Sequence, residues 1–257
     1  MSISRIGYAI VFSVVIILLI IFIYEEKDTT DQASIPDFQD LWGMYGKAVK
    51  DAEITSQEEI SGNLTAITAS NNNLIWDKPD TDHSRVMVVT WTGDFYNDKV
   101  GKSIKIDRFV WVTVAPELRN FCTNYQTEYP NLTIRLMQLL GLPPDTVKSR
   151  FVEILVYPYD LFRPSPDPEI TDHEAELSFP ESTFLNVSDE YKKWFNEQKA
   201  GLYGQDGYPW TRLGYTYDWG NPDSEVGLSE FVIENGSIIE IKGSYSLRDY
   251  CWQGLQK

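Results

Sequence analysis

Two stretches of this sequence gather the residue types from which a site can be built. The first is LFRPSPDPEITDHEAEL, Leu161 to Leu177. Pro164, Pro166 and Pro168 prevent regular structure at their own positions. Asp167, Glu169, Asp172, Glu174 and Glu176 then crowd carboxylates around His173. A hard cation such as calcium takes about six to eight oxygen ligands, often from a loop rich in carboxylates. Asp167, Glu169, Asp172 and Glu174 are therefore the candidate cation ligands, although the glycine and acid spacing of an EF-hand loop are missing. Glu169 and Asp172 are also the pair that could work as general acid and base in a hydrolase. A solvated acidic loop, or one acid paired with Arg163, accounts for the same residues without any ligand.

The second stretch is YPWTRLGYTYDWGNP, Tyr208 to Pro222. From Leu213 it alternates: Leu213, Tyr215, Tyr217 and Trp219 point one way, Gly214, Thr216 and Asp218 the other, which is strand periodicity. Such rings either line the domain core or wall a concave site, since ligand sites are mostly apolar with a few polar groups. Tyr208 and Trp210 precede the strand in a Gly/Pro-rich loop, where a core role is less secured. The candidate ligand-binding set is Tyr208, Trp210, Arg212, Tyr215, Tyr217, Asp218 and Trp219. An arginine among rings is costly to bury unpaired, and its planar fork suits a carboxylate. The spacing leaves two partners for Arg212: an internal one among Asp167, Glu169 and Asp172, which would join both stretches around one hollow, or a ligand carboxylate or phosphate.

These stretches, with WVTVAPELRNFC (Trp111–Cys122), resemble segments of a family of exported or membrane-anchored prokaryotic proteins of unknown function. The likeness covers roughly residues 105–235. It implies cysteines in some members where this chain has Ser165 and Ala175, hence no local bridge across the acidic loop here. It implies no reaction, substrate or cofactor. Familiar catalytic signatures are missing: GLSEF (Gly227–Phe231) ends in Phe where a nucleophile elbow needs Gly, and there is no P-loop, dinucleotide fingerprint or H-E-x-x-H. With 2 His and 2 Cys, a structural zinc site is not expected.

The elements that must carry these stretches follow from periodicity. Phe38, Leu41, Trp42, Tyr45 and Val49 predict an amphipathic helix over Asp37–Asp51. Further helices are expected over Pro116–Thr127, over Leu132–Leu140 and from an N-cap at Ser188 to Gly201. Short β-prone pieces occur at Leu64–Ala69 and Leu74–Trp76. Arg85–Thr92, Asp107–Val114 and Arg150–Pro158 read as strands, the first two central because both faces are apolar. Glu230–Lys242, with Asn235-Gly236 at its middle, reads as a hairpin. Strands and helices mix without a βαβ rhythm, so the expected class is α+β with a largely antiparallel sheet and several packed helices.

Ahead of this domain, Ile6–Tyr24 is apolar throughout. At about 19 residues it spans roughly 28 Å, near the thickness of a bilayer core. Arg5 before it and Glu25 and Glu26 after it orient the chain with its N-terminus in the cytoplasm. The expected organisation is a cytoplasmic tip and transmembrane anchor at 1–24, a linker at 25–37 and an extracytoplasmic domain at 38–257. In that compartment Cys122 and Cys251 either pair or remain two buried thiols. Asn63, Asn131, Asn186 and Asn235 are glycosylation acceptors by motif. A net charge of −16 disfavours nucleic acid and anionic lipid surfaces. The sequence thus points to a membrane-anchored binding or interaction domain. Its expected ligand is an envelope saccharide or a divalent cation, the alternatives being a carboxylate-dependent hydrolase or an envelope protein with no small ligand.

Overall fold

Runs of β-branched residues build the main sheet. The computed structural model describes residues 37–78, 83–125, 131–181, 187–204 and 207–252. The anchor expected at Ile6–Tyr24, nearly all of the linker and Asn186 fall outside them. Among the described residues no helix is long and apolar enough to cross a membrane. The domain from Phe38 onward is α+β, and its strands are β1 (Val86–Thr92), β2 (Ser103–Lys105), β3 (Val110–Val114), β4 (Arg150–Val156), β5 (Leu161–Phe162), β6 (Tyr215–Tyr217), β7 (Val226–Ile233) and β8 (Ile238–Tyr245). They pair antiparallel in the order β2-β8-β4-β1-β3-β7-β5, with β6 also on β7. β1 and β3 are central, as their two apolar faces require. Leu64–Ala69 and Leu74–Trp76 are not strands. They run extended beside the sheet, with Leu64 N–H donating to the His173 carbonyl and Ile67 N–H to that of Ile170, and with one bridge from Trp76 to Val86.

The expected hairpin at Asn235-Gly236 is corrected by the pairing. The turn forms, with Gly236 at φ +95°, but β7 and β8 do not pair with each other. Four strand intervals separate them, roughly 19 Å across a flat sheet. The short link from Ile233 to Ile238 closes that gap only if the sheet curls. Its concave face holds a core drawn from both ends of the strand order, including Val88, Val112, Ile154, Phe231, Ile233 and Ile241.

The opposite face carries helices: α1 (Phe38–Ala52), α2 (Ala115–Asn124), α3 (Asn131–Leu139) and α5 (Leu247–Trp252). A fourth in chain order, α4 (Asp189–Leu202), starts where Ser188 Oγ accepts from Tyr191 N–H at 3.1 Å. Leu41, Tyr45, Val49, Leu118, Leu132 and Leu136 pack there against Val89, Trp91 and Phe151. Cys122 of α2 and Cys251 of α5 form a disulfide with Cα atoms 5.3 Å apart, within this second core.

Candidate functional site

The alternation of strand side chains brings one row across the helix-bearing face of the sheet. Val89 lies opposite Glu153 on β4 and Thr113 on β3, and Thr113 lies opposite Glu230 on β7. The two acids of this row are treated differently. Glu153 is answered by Arg119 at 2.5 Å. Glu230 has no side-chain hydrogen bond or ion pair among the described residues. Its backbone N–H is used, donating to the Gly214 carbonyl at 2.9 Å. Burial alone pushes the Glu230 carboxyl up to about 8, so at neutral pH it holds its proton and can donate a hydrogen bond.

Glu230 faces a cavity of about 320 Å³ between the sheet and the segments that cross it. Trp91 on β1 and Trp111 on β3 form the sheet wall. Leu140 and Leu142 close one side, directed by the end of α3. Gly141 makes this turn possible at φ +62°, and a Cβ there would lie 3.3 Å from the Tyr217 carbonyl oxygen. Tyr208, Pro209 and Trp210 close the other side. This loop is pinned by Tyr208 N–H to the Leu202 carbonyl at 2.7 Å and by a bridge from Trp210 to Thr216. Trp210 is buried at 4% exposure, held by Trp111 edge-on at 5.8 Å and Phe195 at 5.0 Å, whereas Tyr208 stays 43% exposed.

Lys148, just before β4, is the cavity's other charged residue. Its side chain is exposed to solvent, although the protein packed around it lowers its ammonium pKa by desolvation. Like Glu230, it has no ion pair among the described residues. Two other buried charges are paired: Asp218 takes both ends of the Arg135 guanidinium, at 2.7 and 2.5 Å, and Arg163 is met as described below.

No protein-family model, curated protein or solved structure matches the chain. The functional reading therefore rests on where these side chains lie.

Of the expected ligand-binding set, Tyr208, Trp210, Tyr215 and Tyr217 line the cavity, while Arg212, Asp218 and Trp219 do not. The strand behind the expectation shrinks to Tyr215–Tyr217, and its register on β7 breaks between those two residues. The inward–outward alternation is lost there, so Thr216 and Asp218 are buried as well as Tyr215 and Trp219. Trp219 Nε1 donates to the Leu142 carbonyl at 3.1 Å, and Tyr217 donates to Asp51 at 2.7 Å.

Arg212 does not bridge the two stretches. It is buried, with φ +58°, and its Nη2 donates to the carbonyls of Ala52 at 3.2 Å and Glu53 at 2.9 Å. It thus satisfies the free acceptors where α1 ends, whose partial negative charge suits a cation. The bridging arginine is Arg163. Fully buried, it donates to Asp172 Oδ1 at 2.9 Å and to the carbonyls of Asp172, Glu174 and Thr65. Its stem runs under Gly214 (φ +74°), where a Cβ would meet Arg163 Cδ at 2.5 Å. The acidic loop and the ring-rich stretch do meet, but as packed core: Ala175 joins Leu64, Leu213 and Tyr215.

The acidic loop is likewise committed internally. Asp167 Oδ1 accepts from Glu169 N–H at 3.1 Å, and Glu169 Oε1 accepts from Thr171 N–H at 2.6 Å. With Asp172 on Arg163 and Glu174 using its carbonyl, the four expected cation ligands do not converge. No group of three or more His, Cys, Asp or Glu side chains among the described residues could hold a metal ion. Glu169 and Asp172, the alternative catalytic pair, are occupied by the same contacts. Asp167 and Glu169 instead edge a separate open groove of about 490 Å³, with Phe109, Phe162 and Trp194.

Lys148 and Glu230 were missed by the sequence reading. Lys148 lies in a plain turn, DTVKSR, and Glu230 within a run whose alternation puts an acid on an outward-reading position. Register against β3 was the missing information: a strand facing solvent at Glu230 looks identical in sequence to one facing a covered cavity.

Proposed function

We propose that this chain is a membrane-anchored extracytoplasmic binding domain that takes a small, largely apolar ligand into the tryptophan-walled cavity. The observation that carries the reading is that Glu230 and Lys148 line this cavity with no side-chain partner among the described residues, whereas Glu153, Asp218 and Arg163 are each met by an opposite charge. Leaving a polar group such as the Glu230 carboxyl enclosed and unanswered costs about 1–3 kcal/mol, and a ligand that answers it recovers that cost on binding. A cavity of this volume is at the small end of ligand sites.

Location outside the cytoplasm is supported by the Cys122–Cys251 disulfide, since such bridges persist in oxidising compartments, and by the apolar run Ile6–Tyr24. An open saccharide platform is less favoured, because the faces of Trp210 are taken by Trp111, Trp194 and Phe195.

The test uses the full chain in detergent micelles with anilinonaphthalene sulfonate as a fluorescent probe. Saturable binding of one probe per chain is expected, and Leu140→Trp, which fills the cavity wall, should abolish it while leaving the melting temperature within a few degrees. Undiminished binding by the filled variant would remove the cavity from the proposal.

A further inference from the structure

The chemistry of the cavity narrows the ligand further, and this step rests on the reading of the cavity as a receptor. We infer that its ligand is a small organic anion with an aromatic or other flat apolar body, its anionic group at Lys148 and a neutral hydrogen-bonding group at Glu230.

The argument starts from the two ionisable side chains and their separation. Lys148 lies two residues before β4, where Ser149 N–H donates to the Thr92 carbonyl at the end of β1. Glu230 stands on β7, three strand intervals from β4, so roughly 14 Å of sheet lies between their strands. No ion pair joins them, so each can answer a different end of one guest. Apart from tyrosines, they are the only ionisable residues among the described residues lining the cavity.

The protonation states set the polarity of that guest. Glu230 is neutral when the cavity is empty, because desolvation holds its proton. The cavity therefore presents one cation and one neutral donor. A cationic guest would meet repulsion from Lys148 and would have to draw a proton from Glu230. An anionic guest gains an ion pair at Lys148 and leaves Glu230 neutral, able to donate to a hydroxyl or carbonyl oxygen. Between the two ends, Trp91 and Trp111 offer apolar surface that favours a flat body. The overall charge of −16 does not oppose this, because exposed charges more than about 10 Å away are screened at physiological salt.

Four probes of one size separate the possibilities by isothermal titration calorimetry on the full chain: 4-hydroxycinnamate, 4-methylcinnamate, 4-hydroxycinnamyl alcohol and tyramine. The expected order places 4-hydroxycinnamate first, with 4-methylcinnamate weaker because Glu230 is left unanswered, and the alcohol at least tenfold weaker for want of the anion. Tyramine should not bind measurably. Lys148→Met should erase the advantage of the acid over the alcohol, and Glu230→Leu the advantage of hydroxyl over methyl. Equal or better binding of the alcohol or the amine overturns the anion inference while the receptor reading stands. Failure of all four probes up to millimolar concentration overturns the anion inference; if anilinonaphthalene sulfonate is also refused, the receptor reading falls with it. An acid preference that survives Lys148→Met overturns the assignment of Lys148.

Discussion

A proton on Glu230 is worth following, because the fold determines when it leaves. The ordinary glutamate value is 4.5, and burial raises the folded value to about 8. Between those two pH values the unfolded chain has given up a proton that the native chain still holds. Stability from this group is thus complete below about 4.5 and is lost as pH rises through 8. Glu117 acts in the same direction over a shorter window, raised to about 7 by burial against the opposing bond from Ser229 N–H. Replacing Glu230 with Gln keeps a neutral donor and removes its share of the pH dependence. Wild type and Glu230→Gln should melt alike near pH 5, and the variant should melt several degrees higher at pH 9, at about 2–4 °C per kcal/mol for a domain of this size. Scanning calorimetry at both pH values checks this. A variant no more stable than wild type at pH 9 would mean that Glu230 ionises without penalty and is not enclosed.

At the scale of elements, β7 is the strand on which both halves of the ring-rich stretch and the acidic loop depend. Its outer edge is shared, β6 pairing at Ser229 and Val226 and β5 at Val232 and Ile233, and Arg163 fills the gap between them against the Phe231 ring. Removing this guanidinium strands the carbonyls of Asp172 and Glu174, while the Asp172 side chain, 47% exposed, is left to water. Arg163→Met should therefore cost about 1–3 kcal/mol for each unanswered carbonyl and open the segment 164–176 to proteolysis. Asp172→Asn, which leaves the carbonyl contacts in place, should cost nearer 1 kcal/mol. Urea unfolding with limited proteolysis separates the two, and equal losses would assign the anchoring to the ion pair alone. Sequence periodicity located these elements well where the residues are repetitive: α1 was expected at Asp37–Asp51 and runs Phe38–Ala52, and the Ser188 cap opens α4 as its hydroxyl and following acids suggest. It failed where partners are remote. Asn235-Gly236 specifies a turn but not which strands flank it in the sheet. Arg212 and Arg163 are both arginines near rings, and only the chain's path gives one the end of a helix and the other the acidic loop.

Over the whole molecule, the curled sheet is closed from outside by one covalent link. Cys122 and Cys251 lie 129 residues apart in sequence and tie α2 to α5, near the chain's described end, over a face that also bears Phe151 and Tyr250. Tyr250 reinforces the same junction by donating to the Ala115 carbonyl at 3.1 Å and stacking on Phe151 at 4.9 Å. A loop of that length gains about 4–5 kcal/mol from the bridge in the chain-entropy account. The Cys122→Ser, Cys251→Ser double variant should thus melt roughly 10 °C or more below wild type, and thiol reductant should lower wild type toward the same temperature while leaving the variant unmoved. The effect belongs to the domain as a unit, because α5 has only six residues and depends on its neighbours to stay helical. If reductant shifts wild type by less than about 2 °C, the packing of Tyr250 rather than the bridge holds α5 in place, and the disulfide ceases to be an argument for an oxidising compartment.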